Sequence, residues 1–301
     1  MMAESAIYSA IKGSLKKITA YSSLVMFSHS IFSASFAVAA SFFASRGIPG
    51  LINFIWIMTA FFGARNFANA VNRIVDRKID AENPRTSSRH IPSGEISVRE
   101  ALSVSVFFFA VFMLGAAMLP PICLILTPLA GALMILYSYT KRFTWMCHFF
   151  LGAACACASA GGWLGITGAF EWQMFPLVFA NGAWVAGFDI IYSIQDESHD
   201  RKVNLYSIPA VFGVKISYVL AVLLHIFTIA MLLLEGFIMK SGIIYYSGIA
   251  VIGFLFVFQH LHTVVTSFSR VNFAAYTVSR IVGVVLLIAV TADAYARWRG
   301  L

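Results

Sequence analysis

Nine long apolar runs constrain the fold of this chain more than any other feature of its sequence. Each run holds roughly 18–24 residues, enough for an α-helix to cross about 30 Å of hydrocarbon. Apolar residues make up 60% of the chain and charged residues only 11%, too few for the surface of a water-soluble domain. The runs lie near residues 22–43, 49–70, 101–119, 120–138, 145–168, 173–191, 211–234, 241–262 and 279–296. The sequence therefore predicts an all-α polytopic membrane protein, with about nine transmembrane helices around a central cavity.

The distribution of basic residues predicts which side of the membrane each loop occupies. With the N-terminus inside, 17 of the 21 lysines and arginines fall on the inner side or at inner helix ends, and four on the outer side. This asymmetry follows the positive-inside rule, so we expect a cytoplasmic N-terminus and an integral protein of the cell's inner (cytoplasmic) membrane. The topology accounts for the net charge of +8, and no nucleic-acid partner is expected.

Five of the six aspartates fall into two clusters, each at the end of an apolar run. Asp76 and Asp80 close the second run, and Asp189, Asp196 and Asp200 close the sixth. Residues four apart share one face of a helix, so each pair of carboxylates repels unless positive charge lies between them. Under the predicted topology both clusters lie near the cytoplasmic face, where the longest polar loops follow them. Elaborated loops on one face usually carry a protein's function.

A polar stripe leads into the first cluster from within the membrane. Its members are separated by seven, four and four residues, which keeps them on one side of a helix: Arg65, Asn72, Asp76 and Asp80. An ionised side chain at the bilayer centre costs at least about 2.5–3.5 kcal/mol, so the stripe is expected to face a polar cavity. Mg²⁺ prefers oxygen ligands, usually one or two carboxylates plus substrate phosphates. Two pairs of aspartates therefore predict a site for Mg²⁺ and a diphosphate.

The spacing of the clusters also indicates an internal duplication. Asp76 and Asp196 are 120 residues apart, as are Asp80 and Asp200, and each pair follows the second helix of a four-helix set. We therefore expect a single domain over residues 1–301, in which helices 1–4 and 5–8 form a repeat and helix 9 is appended. Both copies would then face one cavity from the same side of the membrane.

The ordered motifs resemble those of a known family of membrane enzymes. The first motif is Asn72-x-x-x-Asp76-x-x-x-Asp80, followed by a loop with Asn83-Pro84-Arg85-Thr86 and Arg89-x-x-Pro92-x-Gly94. The second is Asp189-x-x-Tyr192-x-x-x-Asp196-x-x-x-Asp200, and between the two lies Tyr137-x-x-x-Lys141-Arg142. As a set, they resemble the motifs of the UbiA-type intramembrane aromatic prenyltransferases. One departure is Arg73, which follows Asn72 where many members carry an aspartate.

The resemblance implies roles for individual residues. It implies Mg²⁺ ligands at four aspartates, Asp76, Asp80, Asp196 and Asp200. It implies substrate binding at six residues, Arg65, Asn72, Arg89, Lys141, Arg142 and Lys202. It implies catalytic roles at three residues, Tyr137, Tyr192 and Asp189. The tyrosine rings would face a developing allylic cation, and the Asp189 carboxylate would orient the acceptor hydroxyl or take a proton. Arg65 suits an acceptor carboxylate, because arginine pairs with carboxylates in a planar, bidentate manner.

The reaction that the resemblance implies is Mg²⁺-dependent transfer of a polyprenyl group from polyprenyl diphosphate to an aromatic hydroxy acid within the lipid bilayer. The first expected acceptor is 4-hydroxybenzoate, in ubiquinone biosynthesis, because the loop after the first motif resembles that of members so described. The alternative acceptor is a dihydroxynaphthoate, in menaquinone biosynthesis. Both acids carry a carboxylate, so Arg65 does not discriminate between them.

Two other classes of membrane protein also place aspartates near the bilayer. A cation-coupled transporter is expected to carry helices broken by glycine or proline at mid-membrane, whereas both clusters here lie at helix ends. A membrane phosphoalcohol transferase also uses Mg²⁺ and spaced aspartates, but the Asp-Gly…Ala-Arg…Gly context expected of that class is absent from the sequence.

Overall fold

The structure, a computed structural model, describes residues 20, 21, 23, 24, 34–265, 271 and 273–300. Within that part of the chain the regular elements are all helical, and eight helices are long and apolar enough to cross a membrane. The predicted all-α membrane fold is therefore confirmed. The α-helices are α1 (Ser35–Ala44), α2 (Leu51–Glu82), α3 (Val98–Ala117), α4 (Pro121–Thr140), α5 (Cys147–Thr167), α6 (Phe175–Ser193), α7 (Glu197–Lys202), α8 (Ile208–Ile238), α9 (Ile243–Val265) and α10 (Ser279–Arg299).

The first predicted span, near residues 22–43, lies mostly outside the described residues. The structure describes its end as α1, whose ten residues are shorter than a membrane span. The predicted cytoplasmic N-terminus also lies outside the described residues, so its side of the membrane stays a prediction.

Helix α1 occupies the inside of the bundle. Eight of its ten residues are buried, and it packs against α5, α10, α2 and α6. A helix that is apolar all round belongs in such a position. The contacts are close because small residues line them: a side chain at Gly162 on α5 would overlap the backbone carbonyl of Ala37.

Helix α2 positions the first aspartate cluster. Its 32 residues span roughly 48 Å at 1.5 Å per residue, longer than the hydrocarbon thickness of about 30 Å. Most of the charged residues of α2 are in its last turns, and both of its aspartates are buried in the protein there. Asp76 is 3% exposed and Asp80 is 4% exposed, so the predicted stripe does face the interior.

The second cluster is not on one regular α-helix. Helix α6 ends at Ser193, residues Ile194–Asp196 form a single 3₁₀ turn, and α7 begins at Glu197. The expectation that Asp196 and Asp200 share one face of a continuous helix is wrong in this detail. The tighter turn lets the two carboxylates contact different parts of the protein.

Both clusters lie at one end of the bundle, which we call the polar end. Helices α2, α4 and α6 end there, and α3, α5 and α8 begin there. Helix α8 starts with Ser207 as its N-cap and Pro209 in its first turn, and it kinks at Gly213, whose φ of 81° favours glycine. These helix ends bring together side chains that are far apart in sequence.

Candidate active site

Asp76 is held by three side chains, one from α2 and two from the turn directly after α4. Lys141 Nζ lies 2.6 Å from its Oδ2, and Arg142 Nη2 lies 3.0 Å from its Oδ1. Asn72, one turn earlier on α2, donates its amide to Oδ2 at 3.2 Å. The predicted first motif and the Tyr/Lys segment at the end of α4 therefore meet at one buried carboxylate.

Asp80 has one satisfied oxygen and one unsatisfied oxygen. Arg89, from the loop after α2, donates to Oδ1 at 2.6 Å. The other oxygen, Oδ2, is buried and has no hydrogen-bond partner. A buried carboxylate oxygen without a partner is costly, and a bound cation would satisfy it.

Asp196 ties the second motif to the loop of the first. Arg85 donates from Nε to Oδ1 at 2.9 Å and from Nη2 to Oδ2 at 2.5 Å, a bidentate pair. Asn83 adds a hydrogen bond to Oδ1 at 2.9 Å. The remaining guanidinium nitrogen of Arg85 donates to the hydroxyl of Tyr192 at 2.6 Å.

Arg85 stays charged at every working pH. Burial lowers the pKa of Arg85, but its hydrogen bond to Asp196 and the nearby acidic groups raise the pKa by a larger amount. The net result is a pKa above the ordinary value for arginine. The link between the two motifs is therefore an ion pair throughout the working range.

Asp200 and Lys202 lie at the edge of the site. Ser207 donates its hydroxyl to Asp200 Oδ2 at 2.7 Å, which connects α7 to the start of α8. Lys202 is exposed at the end of α7, and the structure gives it no ion pair with the described residues. Among the predicted binding residues, Lys202 and Arg65 are the two cations that the structure does not pair with a carboxylate of the described residues.

An apolar cavity of about 240 Å³ lies below the aspartates, between α2, α4, α5 and α6. Its walls are mainly alanine, leucine and aromatic side chains, with Arg65 and Tyr137 among the few polar groups. Arg65 Nε is buried and has no hydrogen-bond partner. Tyr137 Oη lies 3.5 Å from the carbonyl oxygen of Ala68. The cavity therefore offers a long apolar space with a cationic donor facing it.

Asp189 lies beside the cavity wall and pairs with a histidine. The carboxylate Oδ2 is 2.7 Å from Nδ1 of His148 on α5. Cys155, which lines the cavity, lies within range of the charges of both Arg65 and Asp189. The predicted acceptor-binding arginine and the predicted proton acceptor thus flank the same part of the cavity.

The residues at the polar end have the donor set that Mg²⁺ prefers. Four carboxylates supply only oxygen ligands, and Asp80 Oδ2 is free to take a cation. In the part of the chain that the structure describes, no three acidic, histidine or cysteine side chains converge on one point, because basic side chains hold the carboxylates apart. The side chains fit a magnesium diphosphate. Its phosphate oxygens would complete the metal coordination and would pair with the arginine and lysine side chains that now hold the carboxylates.

Sequence reasoning missed four residues that the structure places in the site. Asn83 and Arg85 belong to the loop motif but had no predicted role, and the structure places both on Asp196. The polar loop that directly follows the first aspartate cluster could have indicated such a role. Ser207 belongs to a Ser207-x-Pro209 segment that resembles one in the family but had no predicted role, and His148 was one of several histidines in apolar runs. Their contacts with Asp200 and Asp189 depend on how α5 and α8 pack at the polar end.

We expect Arg85→Lys to lower kcat/KM for the reaction that the sequence predicts by about tenfold or more. A hydrogen bond to a charged group contributes about 1.5–3 kcal/mol, and lysine cannot reproduce the fork that contacts Asp196 and Tyr192 together. Steady-state kinetics on the purified variant would measure the loss. The control is Arg201→Lys, which alters an i,i+4 pair with Glu197 and a hydrogen bond to the carbonyl of Ala210 at the surface, and should leave activity within about twofold. Equal activity of Arg85→Lys and the wild type would show that this bridge does not support the site.

Comparison with known proteins places the chain in one family. A model of the UbiA prenyltransferase family matches residues 33–291. The 4-hydroxybenzoate octaprenyltransferase of Shewanella pealeana is 33% identical over 214 residues, which cover 70% of this chain and 74% of that protein. The apo structure of a UbiA homolog from Aeropyrum pernix K1 matches with a TM-score of 0.81 and 27% identity, covering 88% of this chain and 98% of that one. A UbiA homolog from Archaeoglobus fulgidus, solved bound to GPP and Mg²⁺, has the same fold, with a TM-score of 0.67, 22% identity and coverage of 92% and 98%. The chain belongs to the UbiA prenyltransferase family.

Proposed function

We propose that this membrane prenyltransferase moves a polyprenyl group from polyprenyl diphosphate to an aromatic hydroxy acid, with Mg²⁺ as cofactor. The observation that carries the proposal is an apolar cavity with an unpaired arginine donor, placed directly below a layer of acidic and basic side chains. A long hydrocarbon tail, a diphosphate and an acceptor carboxylate each have a complementary surface there. Family membership favours this function over the transporter and the phosphoalcohol transferase.

The diphosphate would occupy the polar end. Asp76, Asp80, Asp196 and Asp200 would hold Mg²⁺, which when bound would neutralise the charge that develops on the departing diphosphate. Lys141, Arg142 and Arg89 now face Asp76 and Asp80 and are close enough to turn toward phosphate oxygens. Asn72 would keep Asp76 oriented. Lys202 would contribute only from the open edge of the site.

The transfer itself would take place at the boundary between the polar end and the cavity. The C–O bond to diphosphate breaks, and the allylic carbon bonds to the ring carbon ortho to the acceptor hydroxyl. Tyr137, which lines the cavity, offers its ring face to the developing cation. The ring of Tyr192 already has a cationic partner, because the guanidinium carbon of Arg85 lies 5.0 Å from the ring centroid. Asp189 takes the ring proton that is lost as aromaticity returns. The apolar walls exclude water, which would otherwise trap the cation as an alcohol.

Arg65 would bind the acceptor carboxylate, and 4-hydroxybenzoate is the proposed acceptor. The support is the unpaired Nε of Arg65 in the cavity and the 33% identity to a relative that bears the name 4-hydroxybenzoate octaprenyltransferase. A dihydroxynaphthoate of menaquinone biosynthesis is the competing acceptor, because it would present the same carboxylate to Arg65.

The role of Arg65 is tested by removing the acceptor's charge. Arg65→Gln should lower kcat/KM for 4-hydroxybenzoate by about 10- to 100-fold, the worth of a charged hydrogen bond of about 1.5–3 kcal/mol. For the methyl ester of the acid, kcat/KM of the same variant should be no lower than that of the wild type. An equal loss of kcat/KM with the acid and with the ester would show that Arg65 does not bind the carboxylate.

We also propose the placement of the enzyme in the cell. The enzyme lies in the inner membrane with its polar end on the cytoplasmic side, because most lysines and arginines lie on that side in the predicted topology. The chain forms one domain, 1–301, built from a repeat of helices 1–4 and 5–8 with a ninth helix appended. Cysteine labelling from either side of sealed vesicles would test the orientation.

Turnover by purified protein in lipid tests the proposed function. The assay would supply Mg²⁺, a labelled polyprenyl diphosphate and either 4-hydroxybenzoate or a dihydroxynaphthoate, and mass spectrometry would identify the product. We expect prenylated 4-hydroxybenzoate, lost when EDTA removes Mg²⁺. Product from the naphthoate alone would move the enzyme to menaquinone biosynthesis. No product from any aromatic acid, with folded protein, would refute the function.

A further inference from the structure

A buried histidine outside every predicted motif contacts the proposed proton acceptor. His148 is the second residue of α5, and its side chain is only 3% exposed. Its Nδ1 lies 2.7 Å from Oδ2 of Asp189, whose own side chain is 25% exposed. The imidazole therefore holds the carboxylate from the protein side, while the carboxylate stays accessible from the other side.

The far side of the imidazole determines where its proton lies. The backbone N–H of Ile208 donates to Nε2 of His148 at 3.2 Å, and this contact is buried. A ring nitrogen that accepts a hydrogen bond carries no proton, so the proton of the neutral imidazole lies on Nδ1. A doubly protonated ring would direct an N–H at the N–H of Ile208. The geometry of these two contacts fits a neutral imidazole that donates from Nδ1 to Asp189.

The same turn of backbone also supports the diphosphate end of the site. Ile208 directly follows Ser207, whose hydroxyl donates to Asp200 at 2.7 Å. Two consecutive residues at the start of α8 thus anchor a proposed metal ligand and the imidazole that holds Asp189.

We propose that His148 is a positioning residue for prenyl transfer. Its Nδ1–H fixes the rotamer of Asp189, and the backbone N–H of Ile208 sets the tautomer that makes this possible. The inference rests on the proposed function, in which Asp189 takes the ring proton. A carboxylate held on one oxygen by a buried donor is preorganised, and loss of such an orienting partner typically costs about 10- to 100-fold.

Three substitutions separate the hydrogen bond from the volume of the ring. In asparagine the amide nitrogen is two bonds from Cβ, as Nδ1 is in histidine, so His148→Asn keeps a donor beside Asp189. In glutamine the amide nitrogen is one bond further out, so His148→Gln does not. His148→Phe keeps the ring and removes both nitrogens. We expect kcat to fall by about 10- to 100-fold in His148→Phe and His148→Gln, with KM for the diphosphate unchanged, and to return to within about threefold of wild type in His148→Asn.

A double-mutant cycle distinguishes positioning from a structural effect. In an Asp189→Asn background, His148→Phe should cause less than about a twofold further loss, because the residue it positions is already disabled. The proposal is overturned if the fold losses in kcat of the two single variants multiply in full in the double variant, or if His148→Phe is fully active. Either result would leave the proposed function intact.

The tautomer gives a readout that needs no turnover. Nitrogen-15 NMR of histidine-labelled protein, with His148→Phe to assign the signal, should show a neutral ring protonated on Nδ1. A ring protonated on Nε2, or on both nitrogens, would overturn the inference whether or not the enzyme is active. An inactive wild-type protein would instead refute the proposed function, and with it the positioning role.

Discussion

Asp76→Asn and Asp196→Asn should each lower kcat for prenyl transfer by about 10³-fold. Removing one preorganised electrostatic contact at a reacting centre typically costs about 10²–10³-fold, and each of these aspartates contributes both a metal ligand and an anchor for basic side chains. Asp76 orders Lys141 and Arg142, and Asp196 orders Arg85. Asparagine keeps the shape of the side chain and removes the charge. Single-turnover rates with saturating Mg²⁺ and polyprenyl diphosphate would measure the loss in the chemical step.

The matched control is Asp293→Asn, at the opposite end of the bundle. Asp293 is 2% exposed, pairs with Arg297 at 2.9 Å and accepts from the backbone of Gly242 and Tyr245. It is as buried as Asp76, which is 3% exposed, but has no place in the proposed chemistry. We expect activity within about threefold of wild type for whatever fraction folds, with folding checked by thermal unfolding. Similar losses in all three variants would mean that aspartates support the fold and not the reaction.

Gly161→Phe should shorten the prenyl chain that the enzyme accepts. Gly161 lines the cavity four helical turns into α5, roughly 21 Å from the polar end, and a Cβ added there meets no atom within 4 Å. Because the Cβ has room and Gly161 lines the cavity, we expect the phenyl ring to occupy the far end of the cavity. Each buried methylene contributes about 0.8 kcal/mol, so excluding one isoprene unit should lower kcat/KM for long polyprenyl diphosphates at least about 100-fold. Geranyl diphosphate, which stays near the polar end, should lose less than about threefold.

Gly253→Phe is the control for this substitution. Gly253 lies on α9, another membrane-spanning helix, and a Cβ added there also meets no atom within 4 Å, but Gly253 does not line the cavity. Chain-length preference should be unchanged in this variant. If both variants lose long and short substrates equally, the cavity is not the site of the prenyl tail.

The sequence predicted those parts of the site that repeat at helical spacing along one helix. Asn72, Asp76 and Asp80 could be placed on one face of α2 because each follows the last by four residues, and the structure puts both aspartates inside. The fold class followed equally directly, because a run of about twenty apolar residues has few other structures available in lipid.

Contacts between distant segments could not be predicted in this way. Arg85 and Asp196 are 111 residues apart, and their pairing depends on the 3₁₀ turn at Ile194–Asp196, which apolar periodicity does not reveal. His148 was one of several histidines in apolar runs, and only the packing of α5 against α6 and the start of α8 distinguishes it. Conversely, Lys202 had a role implied by motif position, and the structure leaves it exposed because the short α7 ends there.

The most direct test of this account measures diphosphate release and ring prenylation in the same reaction. Purified protein in lipid vesicles would receive Mg²⁺, a long-chain polyprenyl diphosphate and 4-hydroxybenzoate, and both products would be quantified over time. We expect one prenylated ring, substituted ortho to the hydroxyl, for each diphosphate released, and neither product after EDTA. Diphosphate released together with free polyprenol, or no release at all from folded protein, would contradict the claim that this site joins the departure of diphosphate to carbon–carbon bond formation.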